Sequence, residues 1–405
     1  MPRSITLRAP EAPVHAAITL PPSKSVANRA LILASLAGDI SGLSNLGNAD
    51  DTRLLHGLLA RRPADMHCGD GGTTFRFLLA WACVQDGEEH LITGNERLLQ
   101  RPHGQLVEAL RALGADITAM ANGFRVRGRT MAGGEVTLHA PESSQYISAL
   151  LLVAARFSDG LRLGWTGMRL SEPYVRMTVE LCRRFGVSVH EEDEAFVVAP
   201  GPLRAVPLAV PGDWSAAAFW YQIAALSAGG RIQLRGLAVD GLQGDEAVEG
   251  LLSPMVATDV GTEGLTLTPL PAQPPSPFMA DLTATPDLFQ PLAFTMAGLG
   301  REARFTGLHN LPLKETDRLK AVADALQTLG CMARYDGGTF HLQGTIQAAT
   351  PPPFDPRGDH RMAMSLAPLA LVCNEVTILH PEVVSKSYPG YWGDLSRAGF
   401  RLEFH

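Results

Sequence analysis

Six stretches of this chain carry apolar helices with almost no polar face, and that feature limits what the chain can fold into more than any other. In Ser23 to Gly38, SKSVANRALILASLAG, a polar and cationic opening runs straight into Ala30, Leu31, Ile32, Leu33, Ala34, Leu36 and Ala37. A helix of that composition is buried along its length and shows only its N-terminal end to a ligand. The same object recurs in Gly71 to Gly87, Ser143 to Gly160, Asp213 to Gly230, Thr285 to Gly300 and Gly358 to Cys373. Closing glycines predict helix C-caps. Ser23 and Ser25 are suitable N-caps, with Lys24 and Arg29 adding charge to a turn whose backbone N–H groups lack partners.

A second, amphipathic helix type alternates with the first. It begins at Arg101, Pro173, Asp245, Asp317 and Pro389, each start 72 residues after the one before, with an earlier copy from Asp50. Alternating segments at Phe124 to Arg127, Ala195 to Val198 and Thr339 to Leu342 read as strands. The repeat predicts an α/β protein of six units, two domains of three, with a boundary near Gly212. The Pro-rich stretches Leu270 to Phe278 and Pro351 to Pro356 read as loops inside units. A chain of 405 residues is in keeping with more than one core.

Packing such helices side by side gathers their N-termini, whose dipoles favour an anion. The residues there include Lys24, Ser25, Arg29, Arg76, Ser143, Ser144, Gln145, Asp287, His360 and Arg361. The net charge of −7 argues against a general nucleic-acid or anionic-membrane binder, so the cations that matter are clustered locally. That pattern points to a small, multiply charged anion. Cys68, Cys83, Cys182, Cys331 and Cys373 show no CxxC spacing, which suggests neither a disulfide framework nor zinc, and with no leader or membrane span the expectation is a soluble cytoplasmic protein.

LKETDRL, Leu313 to Leu319, reads either as a helix start capped by Thr316 or as two cations, Lys314 and Arg318 on one helical face, beside Glu315. TPDLFQ reads as a plain helix start or as one that places Asp287 as a general base. His360 and Arg361 open an apolar helix, and Lys386 follows in SKSY. GDGGTTFR is a glycine-rich turn that lets a ligand approach backbone, without the lysine of a P-loop. No metal-ligand spacing, GxSxG elbow or dinucleotide fingerprint is present, so no metal or cofactor is expected and the chemistry reads as acid–base and electrostatic.

Taken together and in order, PSKSVANR, GGTTFR, ERLLQRP, SSQYISALL, SEPY, LQGD, TPD, LKETDRL, DHRMAM and SKSYP resemble the 5-enolpyruvylshikimate-3-phosphate synthases, a branch of the enolpyruvyl transferase family. The resemblance runs end to end. It implies two domains, each of three βαβαββ units with buried helices, an active site in the interdomain cleft and two crossover segments acting as hinges. The N-terminal domain would cover 21–212, and 1–20 with 213–405 would form the other. The implied reaction moves the enolpyruvyl group of phosphoenolpyruvate to the 5-hydroxyl of shikimate 3-phosphate by addition–elimination, releasing phosphate, in a monomer that is a target of glyphosate. Lys24, Ser25, Arg29, Ser143, Ser144, Gln145, Ser171, Asp287, Asn310 and Lys314 would then hold shikimate 3-phosphate. Lys24, Gly72, Arg101, Gln145, Arg318, Arg361 and Lys386 would hold phosphoenolpyruvate. Asp287 is the implied base, with Glu315 and Lys24 protonating the methylene carbon.

Four positions depart from the commonest family pattern: Pro22 for glycine, Asp70 for asparagine, Phe77 for proline and Glu172 for lysine. A carboxylate at Asp70 opposes anion binding nearby. The alternative activities are enolpyruvyl transfer to UDP-N-acetylglucosamine, whose enzymes carry a cysteine-bearing loop with no counterpart among these five cysteines, and non-catalytic anion binding.

Overall fold

The computed structural model describes residues 3–271 and 276–405, so part of the expected loop Leu270 to Phe278 lies outside the described residues. The chain divides into two compact units, a split one of Met1–Pro22 with Pro211–His405 and an inserted one of Ser23–Val210. The split unit is left at Pro22 and re-entered at Pro211, and it ties those ends together through a bridge between Pro22 and Gly212 and a bond from the Asp213 N–H to the Pro21 carbonyl.

One topology is used four times. In the inserted unit, Gly134–His139 pairs parallel with Leu161–Thr166, which pairs antiparallel with Ala195–Val198, which pairs antiparallel with Val189–Glu192. Asp65–His67, Glu89–Thr93, Gly123–Arg127 and Asp116–Met120 repeat that order. In the split unit it recurs in Val14–Thr19, Gly230–Arg235, Gly264–Pro269 and Val256–Gly261, and in Phe278–Asp281, Ala303–Thr306, Thr339–Gln343 and Met332–Asp336. Each is a βαβαββ unit, because a parallel first pair requires a helical crossover while the last pair needs only a hairpin. The remaining two units are reduced. One keeps the three strands Val376–Leu379, Ser4–Arg8 and Arg401–Phe404; the other keeps only Leu43–Ser44 beside Leu208–Ala209.

All six apolar helices form, over Lys24–Leu36, Gly72–Cys83, Ser144–Val153, Trp214–Leu226, Phe289–Gly298 and His360–Leu366. Burial is as complete as the missing polar face implies: every residue of Phe289 to Ala297 and of His360 to Leu366 is buried. Some of the polar side chains inside are met by neighbouring helices, as where Gln222 donates to the Ser365 carbonyl at 2.9 Å and the Trp81 indole to Ser35 Oγ at 3.2 Å. The amphipathic helices form too, for example Glu172–Arg184 and Arg318–Thr328. Closing glycines follow the helix directly at Gly38 and Gly300, both left-handed, but Gly87, Gly160 and Gly230 lie beyond the helix end, in turns or at a strand start. Those three serve the next element rather than the cap.

Trp220 is fully buried in the split unit and its indole donates to the Tyr388 hydroxyl at 3.3 Å. Trp220→Ala is expected to cost about 3–5 kcal/mol of stability, the usual range for an aromatic-to-alanine core truncation, with Trp220→Phe costing less. Urea unfolding of the two variants checks this; equal midpoints for Trp220→Ala and the parent protein would contradict it.

Candidate active site

In the inserted unit the apolar helix Lys24–Leu36 carries a buried cation in neutral surroundings. Arg29 is 1% exposed and donates to Thr178 Oγ1 at 2.7 Å, to the Ser25 carbonyl at 2.9 Å, to the Tyr174 carbonyl at 3.1 Å and to Ser148 Oγ at 3.3 Å. The Phe77 ring lies 5.3 Å from its guanidinium carbon. No carboxylate pairs with it among the described residues, and burial pushes it down to about 10, so it keeps its charge at neutral pH. Arg101 is also buried, and its Nε has no hydrogen-bond partner among the described residues. Gly72 makes room for it, since a Cβ there would stand 2.8 Å from Arg101 Nη1. Lys24 is paired, with Asp51 Oδ2 at 2.9 Å.

Ser143 caps the helix Ser144–Val153, its hydroxyl accepting from the Gln145 N–H at 3.3 Å, and Ser144 is buried beside it. Ser171 has a left-handed backbone, φ +58°, uncommon for serine and the kind of conformation that collects at functional sites. Its carbonyl accepts from the Tyr174 N–H, one turn from the Arg29 contact. Ser23 stands at the N-cap position of Lys24–Leu36, yet its hydroxyl makes no cap bond and has no partner among the described residues, so the expected serine cap is absent.

In the split unit the expected charged residues form one network. Asp287 Oδ1 meets Arg318 Nη1 at 2.8 Å and Lys314 Nζ at 3.5 Å, and its Oδ2 meets Arg361 Nη2 at 3.0 Å. Glu315 bridges Arg318 at 3.1 Å and Lys386 at 2.9 Å. Asn310 is buried at the head of the 3-10 turn Leu311–Leu313, which Lys314 follows. Burial works against ionisation of Asp287, but Arg361, Lys314 and Arg318 outweigh it and hold the carboxyl well below the usual range. Arg318, almost fully buried, is pushed upward by Asp359, Glu315 and Asp287 against its own desolvation.

Two local expectations are corrected. The helix Arg318–Thr328 is capped by Asp317, which accepts from the Lys320 N–H at 3.1 Å, and not by Thr316. Lys314 lies before that helix, so it shares no helical face with Arg318; the two meet through Asp287. Asp287 itself occupies a short 3-10 turn, Pro286–Leu288, ahead of the helix Phe289–Gly298, which aims its carboxylate at the arginines.

Comparison with known proteins identifies the family. The model of the family EPSP synthase (3-phosphoshikimate 1-carboxyvinyltransferase) matches residues 9–61 and 56–395. A 3-phosphoshikimate 1-carboxyvinyltransferase of Bacteroides fragilis is 40% identical over 404 residues, covering 96% of this chain and 97% of that one. The chain belongs to the EPSP synthase family. It is a transferase of the shikimate pathway. Its fold is also that of the EPSP synthase of Acinetobacter baumannii (TM-score 0.77, 20% identity, 99% and 100% of the two chains) and of the enolpyruvyl transferase NikO of Streptomyces tendae (TM-score 0.74, 16% identity, 100% and 99%).

As a member of that family, the chain absorbs its unusual residues locally. Glu172 accepts from Arg176 at 2.7 Å and Arg169 at 3.4 Å. Asp70 is exposed and accepts from Asn95 Nδ2 at 2.9 Å. The sequence reading missed Asp359, a fully buried carboxylate with two tasks. Its Oδ1 accepts from the Arg361 N–H at 2.9 Å, capping the helix that presents Arg361, while its Oδ2 meets Arg318 Nε at 2.7 Å. The signal was available, since Asp before an apolar helix start is an N-cap pattern. Asp51, which pairs Lys24, and Ser148 and Thr178, which hold Arg29, carried no comparable signal because their partners are distant in sequence.

Asp359→Ala takes one of three carboxylates from Arg318 and uncaps the Arg361 helix. It is expected to raise the KM for phosphoenolpyruvate about 10-fold or more while also lowering the melting temperature, as loss of one partner from a buried pair does. Steady-state kinetics with an unchanged KM would remove Asp359 from this positioning role.

Proposed function

We propose that this chain transfers the enolpyruvyl group of phosphoenolpyruvate to the 5-hydroxyl of shikimate 3-phosphate, with release of phosphate. The observation that carries the reading is Asp287, one carboxylate held against Lys314, Arg318 and Arg361. Those are the charges that two phosphorylated anions would engage. Lys24, Ser25, Arg29, Ser143, Ser144, Gln145, Ser171, Asn310 and Lys314 are assigned to shikimate 3-phosphate, together with Asp287. Lys24, Gly72, Arg101, Gln145, Arg318, Arg361 and Lys386 are assigned to phosphoenolpyruvate. The division into domains 21–212 and 1–20 with 213–405, a monomeric state and a cytoplasmic location belong to the same proposal.

In the addition step the 5-hydroxyl oxygen bonds to C2 of phosphoenolpyruvate, Asp287 takes the hydroxyl proton, and Lys24 and Glu315 supply the proton that converts the C3 methylene to a methyl group. In the elimination step the bond from C2 to the phosphate oxygen breaks, C3 returns a proton and phosphate departs. Fixed cations stabilise the charge on the tetrahedral adduct without reorganising. Asp287 is a weak base while three cations surround it. Anionic substrates that draw Lys314, Arg318 and Arg361 to themselves remove the groups that depress its proton affinity, so the base strengthens when the substrates are bound.

Phosphate release from phosphoenolpyruvate, measured with shikimate 3-phosphate or UDP-N-acetylglucosamine as acceptor and EDTA present, tests the reaction. Release with shikimate 3-phosphate alone is the expected result; release with the sugar nucleotide alone would transfer the assignment to the sister reaction, and none with either would leave anion binding without catalysis. Asp287→Ala is expected to lose at least about 100-fold in kcat. A near-normal turnover number would exclude it as the base. Asp70→Asn is expected to lower the KM for phosphoenolpyruvate about two- to threefold, the small size following from solvent screening of an exposed charge; an unchanged KM would show that the carboxylate does not reach the anion.

A further inference from the structure

Arg76 is among the largest fully buried side chains of the inserted unit, and the substrate contacts assigned above do not include it. It projects from the helix Gly72–Cys83, which also begins with Gly72. Its Nη1 donates to Gln145 Oε1 at 2.6 Å, its Nη2 donates to the Pro102 carbonyl at 3.0 Å, and its guanidinium carbon lies 5.2 Å from the centre of the Tyr146 ring. The Tyr146 hydroxyl donates to that same Pro102 carbonyl. One guanidinium therefore links the helix Gly72–Cys83, the turn carrying Arg101 and the first turn of the helix Ser144–Val153.

The polarity of the Gln145 contact is what matters. A primary amide offers one acceptor end and one donor end of nearly the same size, and either can face outward. A charge-assisted bond from a buried guanidinium can be made only to the oxygen, so it fixes the choice. Arg76 is 1% exposed, whereas Gln145 is only partly buried. The oxygen is held inward and the NH2 end is left for a ligand. With the opposite rotamer an anion would meet a carbonyl oxygen. His103, beside this group, is pushed down to about 4 by its burial and then by Arg76, so it stays neutral near pH 7 and does not compete for the Gln145 oxygen as a second cation.

We propose that Arg76 is a positioning residue for phosphoenolpyruvate binding, locking the Gln145 amide with its NH2 end toward the substrate. This rests on the assignment of Gln145 to phosphoenolpyruvate. Arg76 acts through Gln145 and touches no substrate itself.

A double-mutant cycle in the full-length protein separates this role from a merely structural one. Arg76→Met is expected to raise the KM for phosphoenolpyruvate about 10-fold with kcat within about threefold, and Gln145→Ala to do the same. In the Gln145→Ala background Arg76→Met should add no more than about twofold, because the group it orients is gone. Arg76→Lys, which keeps a cationic donor for Oε1, should recover most of the affinity. An Arg76→Met variant whose KM is unchanged, or whose penalty is equally large with and without Gln145, overturns the proposal, whatever its melting temperature. Should Arg76→Met fail to fold, the same cycle is run with Arg76→Gln, whose neutral amide can meet Gln145 with either end and so does not fix it: a penalty present with Gln145 and absent in its alanine variant supports the role, and equal penalties overturn it. Failure of the functional reading is distinct, since then the parent protein itself releases no phosphate with shikimate 3-phosphate.

Discussion

The charged centre of the split unit depends on one guanidinium. Arg318 is almost wholly removed from water, and a bare cation there would be costly; it persists because Asp287, Glu315 and Asp359 each meet it directly. Every other charged side chain of the set hangs from those three carboxylates. Asp287 brings in Lys314 and Arg361, Glu315 brings in Lys386, and Asp359 caps the helix that starts at His360. Four cations and three carboxylates in direct contact leave an excess of positive charge in this cluster. An incoming anion meets cations already in position, and it has only to displace carboxylates from them.

The inserted unit handles two of its arginines in the opposite way, although its Lys24 is paired with Asp51. Arg29 and Arg101 are buried without a counter-charge among the described residues, Arg29 among hydroxyls, carbonyls and aromatic rings, Arg101 with its Nε unpartnered. Neutral acceptors satisfy the geometry of a guanidinium but leave its field unopposed, and in a low-dielectric setting that field is strong. The cost of holding such a charge is recovered only when an anion arrives. The split unit thus covers its cations with carboxylates, while the inserted unit does so for Lys24, through Asp51, and leaves Arg29 and Arg101 without one among the described residues.

Most of the architecture was legible because its cause is local. A helix with no polar face has to be buried, and a period of 72 residues in the second helix type fixes the repeat before any contact is known. The placement of Ser143, Gln145 and Arg361 at helix starts was legible for the same reason. What could not be read is pairing across sequence distance. Nothing in LKETDRL tells that Lys314 and Arg318 converge on a carboxylate some thirty residues earlier rather than along one helix, and nothing near Arg29 names Ser148 or Thr178 as its partners. The two reduced units were likewise hidden, since the helices of those units keep the pattern while their strands shrink to three and two.

The departures from the family pattern follow from where charge can be neutralised. Glu172 reverses the usual sign at a helix start, where a carboxylate suits the dipole, and Arg169 and Arg176 lie within one turn on either side to pair with it. Asp70 sits exposed, with an amide donor at hand and water around it, so its charge is screened before it reaches a buried site. Phe77 replaces a residue without a π face by one that stands over the uncompensated Arg29, where an aromatic ring offers a cation some of what a carboxylate would. All three lie in the inserted unit, whereas the ion pairs around Arg318 belong to the split one. Sequence change is tolerated where a partner or solvent can absorb it, and the buried network of shared carboxylates offers neither.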